Sequence, residues 1–282
     1  TDAYDPMEKA MLKHCDGLGI SKEHLFGGEL ISEYAFTNEL KMMGHIWRRN
    51  GSIVIAAKGS PERILTICEL TENDKEVAEH KITEMSKQGL RVIAGATASP
   101  QSESEIPAQI IDCRLTLCGL IGLADPPRES VKADIAVCNR AGIRVVMITG
   151  DNGITASSIA KKIGMPNSDH IITGDMLNEM TDVELRERVK DVSIFSRVIP
   201  EHKMRIVKAF KDNGEIVAMT GDGVNDAPAL KYADIGIAMG KRGSEVSREA
   251  ADLILMDDNF TTIVETVKDG RRIYDNIRKA VG

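Results

Sequence analysis

One stretch constrains the fold of this chain more than any other: residues 219–228, with the sequence Met-Thr-Gly-Asp-Gly-Val-Asn-Asp-Ala-Pro. The apolar run 216–219 leads into it and predicts a short strand that is buried on both faces. Asp222 and Asp226 follow the carboxyl end of this strand, which is where open α/β sheets bind ligands. Two acids beside a glycine turn predict a Mg²⁺ site, since Mg²⁺ takes one or two carboxylates with water and phosphate. The alternative is a turn whose acids only cap the next helix.

A second apolar run carries the same ending. Residues 145–148 predict a buried strand, Thr149-Gly150-Asp151 follow it, and residues 155–163 have a helical pattern. Two strand–loop–helix units of this kind predict one shared site, lined by loop amides and hydroxyls that suit a phosphate. The alternative is a repeated turn type with no common ligand.

Composition and charge exclude several classes of protein. The 282 residues are 42% hydrophobic and 28% charged, which is typical of a globular chain and excludes general disorder. No apolar run approaches the roughly 20 residues that cross a bilayer, and the polar start does not resemble a signal peptide. A net charge of −7 without a basic tract makes nucleic acid an unexpected partner. Five cysteines without a Cys-x-x-Cys pair predict reduced thiols and no zinc site.

The order of predicted elements divides the chain in two. The first part, 1–113, mixes helices and strands. The second, 114–282, alternates strands and helices, which predicts a mostly parallel sheet with helices on both faces. We place the boundary just before a predicted strand at 115–123 and assign Pro126 and Pro127 to the hinge, because two prolines resist both helix and sheet pairing.

Four motifs together resemble P-type cation-transporting ATPases of the calcium-pump-like subgroup. They are Lys58-Gly59-Ser60-Pro61-Glu62, Asp125-Pro126-Pro127-Arg128, Met147-Ile148-Thr149-Gly150-Asp151-Asn152 and the 219–228 stretch. The resemblance covers essentially the whole chain. It implies an α/β protein in which 1–113 is a smaller α+β nucleotide-binding (N) domain. Residues 114–282 would then be a phosphorylation (P) domain, a Rossmann-like parallel sheet of the haloacid-dehalogenase type. Residues 270–279 resemble the stalk before a membrane helix.

The resemblance also implies roles for residues of the first part. Phe36 matches the ring on which adenine stacks, Glu8 an acid near the adenine, and Arg91 an arginine that reaches the triphosphate. Lys58 and Lys41, with Met43, match further positions that line the ATP pocket. Without the resemblance, Phe36 would be taken for a core residue and a lone lysine for a solvated charge. Asn38 stands where close relatives often carry arginine, which puts one phosphate contact in question.

In the second part the resemblance implies a phosphoryl-transfer site. Catalysis of that reaction is mainly positioning, with Mg²⁺ and cations balancing the charge on the phosphoryl oxygens. Asp222 matches the Mg²⁺ ligand, and Asp226 supports that site. Asn225, Thr149 and Gly150 match groups that hold the phosphoryl oxygens, and Lys203 matches the lysine that neutralises the phosphoryl group. Asp125 and Arg128 match hinge residues that touch nucleotide.

One part of the family pattern is absent from this sequence. The family's nucleophile is the aspartate of an Asp-Lys-Thr-Gly-Thr segment on the central strand of the P-domain sheet, and these 282 residues contain no such segment. We therefore expect a part of a pump that neither forms an aspartyl phosphate nor transports by itself. The sheet should have a gap between the strands 145–148 and 216–219, unless they pair directly or a neighbouring strand fills it.

The expected function is that of the cytosolic ATP-binding and phosphoryl-transfer part of an integral membrane pump, with Mg²⁺ and ATP as cofactors and Ca²⁺ as the expected cation. Its partners would be the actuator and transmembrane domains of the same parent chain, and the cation would bind in the membrane domain. Two alternatives stay open: a stand-alone phosphatase of the haloacid-dehalogenase class, and a non-catalytic module that binds ATP.

Overall fold

The computed structural model describes residues 6–37 and 39–281, and the chain divides into two compact units, Thr1–Asp125 and Pro126–Gly282. The departure at Asn38 lies outside the described residues. In the two described ranges, no helix combines the length and the apolar character that crossing a membrane requires.

The first unit is built on an antiparallel sheet. Its elements are α1 (Pro6–Gly17), α2 (Lys22–Phe26), β1 (Glu29–Tyr34), β2 (Met42–Arg49), β3 (Ser52–Gly59), α3 (Pro61–Thr66), α4 (Glu72–Lys87), β4 (Arg91–Ala98) and β5 (Thr116–Leu123). The strands lie in the order β1-β2-β3-β4-β5, each antiparallel to the next. β2 and β3 form a tight hairpin, because Asn50 and Gly51 adopt φ of 49° and 80°, as a type I′ turn requires. Alternation along β2 buries Met42 and Ile46 in the core.

The predicted boundary at 113/114 separates β5 from the sheet to which it belongs. β5 pairs with β4 from Arg91↔Leu123 to Thr97↔Thr116, so the first compact unit continues to Asp125. The difference arises because β5 carries an ordinary strand pattern, and a strand pattern alone does not tell which sheet the strand joins. The assignment of the two units as N and P domains stays a prediction.

The second unit alternates strands and helices. Its elements are α5 (Val131–Arg140), β6 (Met147–Ile148), α6 (Gly153–Lys162), β7 (Ile171–Thr173), α7 (Gly174–Glu179), α8 (Asp182–Arg188), β8 (Ile194–Ser196), α9 (Pro200–Asp212), β9 (Ala218–Gly221), α10 (Ala227–Tyr232), β10 (Ile235–Met239), α11 (Glu245–Ala250), β11 (Leu253–Leu255) and α12 (Phe260–Val281). All strand pairs in the described part of this unit are parallel, which confirms the α/β class and the parallel strand direction.

These strands form two three-stranded sheets, in the orders β6-β8-β7 and β11-β10-β9. β6 and β9, the two strands that end in Thr-Gly-Asp, are each an edge strand of their own sheet. Within residues 6–37 and 39–281 they are not paired with each other, as expected for a sheet with a gap at this place.

The prediction that the strand at 216–219 is buried on both faces is wrong. The strand runs from Ala218 to Gly221, and only Met219 within it is buried, whereas Ile216 is 80% exposed. Met219 packs against Leu230 of α10 on one face. Ala218 and Thr220, on the other face, are exposed. An apolar run does not show whether both faces of its strand are covered, because the cover comes from other elements.

Helix α9 joins the cores behind the two sheets. Ile206 and Phe210 pack in the cluster that contains Phe195 of β8. Val207, on a neighbouring face of the helix, packs with Met219 of β9. The first turn of α9 therefore lies near the carboxyl ends of strands from both sheets, where the predicted site residues are found.

Candidate functional site

The loop after β9 is organised around the carboxylate of Asp226. This residue is 4% exposed, and its Oδ2 accepts hydrogen bonds from the main-chain nitrogens of Asp222 (3.2 Å) and Gly223 (3.0 Å). The loop passes so close to this side chain that a Cβ added at Gly221 would lie 2.5 Å from the Cβ of Asp226. Gly221 is therefore required by the close approach of its backbone to Asp226.

The other oxygen of Asp226 binds the lysine that the sequence predicted for the site. Nζ of Lys203, in the first turn of α9, donates to Oδ1 of Asp226 in a largely buried ion pair. Both oxygens of Asp226 thus accept hydrogen bonds within the protein. A Mg²⁺ ion bound directly to Asp226 would compete with Lys203, so this geometry suits Asp226 as the residue that orients the loop.

The carboxylate of Asp222 is the group that fits a metal ion. Its side chain is exposed, and the hydrogen bonds made with Asp222 in the described part of the chain all involve its main chain. Asn225 is exposed in the same turn. Mg²⁺ usually keeps several of its water ligands, so one available carboxylate can be enough for a protein to bind it. Mg²⁺ bound there would screen the negative charge of phosphoryl oxygens.

The loop after β6 reaches the same helix. The main-chain nitrogen of Thr149 donates to Phe195 O of β8 (2.9 Å), and Thr149 O accepts from Val198 N (3.1 Å), two residues before α9 begins. Oγ1 of Thr149 accepts from the nitrogen of Asp151 (3.1 Å), which holds the turn in which Gly150 is exposed. Asn152 caps α6 through Thr155 N (2.8 Å). The two predicted loops are therefore tied to the beginning of α9, one by Val198 and the other by Lys203.

Arg128 is bound within the second unit. Its Nη1 donates to the main-chain oxygen of Asp258 (2.5 Å), just before α12. The resemblance implied that Arg128 contacts nucleotide, and that contact stays a prediction. Asp258 was not among the predicted site residues, although the segment Asp257-Asp258-Asn259 has the composition of a turn.

In the first unit, the structure brings together three of the predicted ATP-binding residues. Nζ of Lys58, in β3, forms an ion pair with Glu8 of α1, and both side chains are 34% exposed. Nη1 of Arg91, at the start of β4, lies 3.7 Å from Sδ of Met7, next to Glu8. Met43 is the cross-strand partner of Lys58. Helix α1 thus lies over the strands that carry the two predicted cationic contacts.

The other two predicted residues lie in and beside the loop between β1 and β2. Lys41 has φ of 53°, and its carbonyl oxygen accepts from Ser60 N (2.9 Å), directly after the Lys58-Gly59 pair. Phe36 is 55% exposed, which contradicts the alternative of an ordinary core residue and is compatible with a ring that stacks on a base.

One buried histidine next to Lys203 predicts a pH dependence of stability. His202 is 3% exposed, its Nε2 bonds to Oδ1 of Asn178 (2.7 Å), and its Nδ1 accepts from Ile199 N (3.4 Å). Burial, and secondarily the charge of Arg205, lower the pKa of His202 below 6.5, against the smaller opposing effects of Glu201 and Asp175. The unfolded chain therefore takes up a proton first as the pH falls, and stability should drop below about pH 6.5.

The measurement is the free energy of unfolding by urea and circular dichroism between about pH 7.5 and pH 5.5. We expect a smaller loss over this range in His202→Gln, which cannot titrate. Equal slopes in the two proteins would contradict the assignment.

Comparison with known proteins finds similarity to cation-transporting ATPases along almost the whole chain. A family model described as P-type ATPase, cytoplasmic domain N, matches residues 3–130. A calcium-transporting ATPase of Bacillus subtilis is 43% identical over 291 residues, covering 98% of this chain and 33% of that protein. Calcium-transporting ATPase 1 of Schizosaccharomyces pombe is 39% identical, with 98% and 32% covered. Probable cation-transporting ATPase F of Mycobacterium bovis is 38% identical, again with 98% and 32% covered. The chain spans about a third of the length of these relatives.

These similarities extend across both units. The family model covers the first unit and describes a cytoplasmic domain, which agrees with the predicted place on the cytosolic face of a membrane protein. The relatives continue the similarity through the second unit, which carries the loops after β6 and β9. The resemblance inferred from the four motifs is thus confirmed: over 98% of its length, the chain is similar to P-type cation-transporting ATPases.

Proposed function

We propose that this chain is the ATP-binding and phosphoryl-transfer part of a pump that couples Mg-ATP hydrolysis, through an aspartyl phosphate, to cation transport. The observation that carries the proposal is the Lys203–Asp226 ion pair beside the available carboxylate of Asp222. A cation and a metal ligand at one sheet edge, with the loop of Thr149 tied to the same helix, form the charge-balancing set that phosphoryl transfer needs.

In this proposal the first unit binds the nucleotide and the second unit carries the phosphoryl-transfer site. The first unit is the N domain and binds ATP through Phe36, Glu8, Lys41, Lys58 and Arg91. The second is a P domain of the haloacid-dehalogenase type, in which Asp222 binds Mg²⁺, Lys203 neutralises the phosphoryl group, and Thr149, Gly150 and Asn225 hold its oxygens. Arg128 touches nucleotide during the cycle. The names of the relatives support Ca²⁺ as the transported cation.

The rest of the reaction belongs to other parts of a longer parent protein. Its actuator and transmembrane domains are the proposed partners, and the transported cation binds in the membrane domain. Because these 282 residues contain no Asp-Lys-Thr-Gly-Thr segment, we expect them to bind Mg-ATP without forming a covalent phosphate.

That expectation also describes a second candidate, a regulatory module that only binds ATP. The observation that favours it is that predicted ATP-binding residues lie together in the first unit, among them Lys58 beside Glu8. A pump would carry the segment and hydrophobic helices in the parent chain, whereas a binding module would not, so the parent sequence separates the two.

Calorimetric titration with Mg-ATP tests the nucleotide site. Phe36→Ala should weaken binding by about 1–3 kcal/mol, the usual contribution of an aromatic ring stacked on a base, which is roughly 5- to 150-fold in Kd. Phe26→Ala is the matched control, because Phe26 is also an exposed ring of the first unit, at 43%. Equal ATP affinities of the two variants would show that Phe36 does not contact the nucleotide. Failure of the parent chain itself to bind would contradict the proposed function.

A further inference from the structure

Asp258 combines three features that are unfavourable for stability. It is 6% exposed, it carries a carboxylate, and its backbone is left-handed with φ of 53°. Burying a charge and holding a non-glycine residue at positive φ both cost free energy, and such features persist where surrounding contacts or function require them. The contacts of Asp258 show which part of the site it serves.

The carboxylate of Asp258 fixes the loop after β10. Its Oδ1 accepts from Lys241 N (3.1 Å) and its Oδ2 from Arg242 N (3.0 Å), with Nε of Arg242 at 3.6 Å. Burial acts to raise the pKa of Asp258, but these amides, that of Gly240 and the charge of Arg242 hold it below its ordinary value. The carboxylate is thus a charged acceptor for two consecutive amides, an interaction stronger than a neutral hydrogen bond.

The other end of the same loop holds Asp222. The main-chain nitrogen of Ser244 donates to Asp222 O (2.8 Å), and Oγ of the buried Ser247 lies 3.3 Å from the same oxygen. The backbone between these two ends packs closely against the end of β10, since a Cβ added at Gly243 would lie 1.9 Å from Met239 O. A displacement at Lys241 and Arg242 would therefore reach Ser244.

We propose that Asp258 is a positioning residue for Asp222, acting through the loop 240–244. It fixes the amides at the start of this loop, and the loop in turn fixes the main chain of the residue whose carboxylate binds Mg²⁺. Arg128 donates to the main-chain oxygen of Asp258, so the segment at the start of the second unit is tied to the same point. The inference rests on the proposed role of Asp222 in binding Mg²⁺.

Asp258→Asn tests it, because asparagine tolerates positive φ but can accept from only one of the two amides. Asp252→Asn is the matched control. Oδ2 of Asp252 accepts from Gly236 N (2.8 Å), a similar bond at the amino end of β10, away from Asp222. The first readout is amide hydrogen exchange, and the second is Mn²⁺ affinity from the spin-resonance signal of free Mn²⁺. Both use the whole chain, with circular dichroism as the check of folding.

We expect Asp258→Asn to speed exchange at Ser244 and Gly223 roughly tenfold and to weaken Mn²⁺ binding roughly tenfold, as loss of an outer contact to a metal site does. Asp252→Asn should speed exchange at Gly236 alone and leave Mn²⁺ affinity unchanged. Faster exchange at Lys241 and Arg242 with unchanged exchange at Ser244 and Gly223 would overturn the proposal, as would equal effects of the two variants.

A second measurement does not depend on the folding of a variant. Coupling between two sites is reciprocal, so Mg²⁺ added to the parent chain should slow exchange at Lys241 and Arg242 but not at Gly236. Unchanged exchange at Lys241 and Arg242 with Mg²⁺ bound would contradict the inference. If Asp222→Asn leaves Mn²⁺ affinity unchanged, the proposed metal site is wrong, and exchange at Ser244 in Asp258→Asn still decides whether Asp258 positions the loop.

Discussion

Asp226→Ala is expected to lower the free energy of unfolding of the second unit by about 3 kcal/mol, because each buried polar group left without a partner costs about 1–3 kcal/mol. The substitution removes the acceptor of Asp222 N and Gly223 N and the partner of Lys203. For a unit of this size the loss corresponds to roughly 6–12 °C in Tm. The loop that presents Asp222 would lose the contacts that define its shape.

Two milder substitutions separate the ion pair from the loop contacts. Lys203→Met should cost less, about 1–2 kcal/mol, because Asp226 keeps both amide donors and the lysine is partly solvated. Asp226→Asn keeps an acceptor for the amides and should lie between the two. A double-mutant cycle of Lys203→Met and Asp226→Asn gives the coupling of the pair.

Urea unfolding followed by circular dichroism measures these effects. Trp47, the single tryptophan, lies in the first unit, so its fluorescence is an internal control that should not change. If Asp226→Ala unfolds within about 0.5 kcal/mol of the parent, as a surface substitution would, the buried pair does not support the loop.

A strand peptide that ends in Asp-Lys-Thr-Gly-Thr is expected to bind the second unit and to be phosphorylated on its aspartate by Mg-ATP. Among the residues that the structure describes, β6 and β9 each pair with a neighbouring strand on one side only, and both precede loops tied to the beginning of α9. Ile148 of β6 and Met219 of β9 also pack in one apolar cluster. A strand between them would pair on both sides, as parallel strands in the interior of a sheet do.

In the expected reaction an aspartate oxygen of the peptide attacks the γ-phosphorus and ADP leaves. The measurement is radioactive label transferred from the γ-phosphate of ATP to the peptide and released by hydroxylamine, as an acyl phosphate is. The chain without peptide should give no such label. A peptide with asparagine in place of the aspartate is the matched control, and it should protect the amides of β6 and β9 from exchange without being labelled.

Site variants show which groups support the transfer. Lys203→Met and Asp222→Asn should each reduce labelling roughly 100-fold, as loss of one charge-stabilising group typically does. Binding of the peptide without any label would contradict the proposed phosphoryl transfer. No binding, and no protection of either edge strand, would contradict the proposal that the gap accepts a strand.

The sequence by itself indicated the α/β class and the resemblance to P-type ATPases, and it predicted the candidate site residues. Short-range patterns carry this information: an apolar run followed by Thr-Gly-Asp, glycines where the backbone turns or approaches closely, and proline at the start of α3, α9 and α10. The resemblance also predicted a gap next to the two edge strands, because these 282 residues contain no Asp-Lys-Thr-Gly-Thr segment.

Only the tertiary structure decided how these pieces combine. It placed β5 in the first sheet, left one face of β9 exposed, and assigned one oxygen of Asp226 to Lys203 and the other to two amides. It also joined Asp258 to Asp222 through a loop between residues far apart in the sequence. Local patterns specify an element and its polar residues. Strand partners, the cover of a face and the pairing of buried charges depend on contacts between distant segments, where packing overrides local preference.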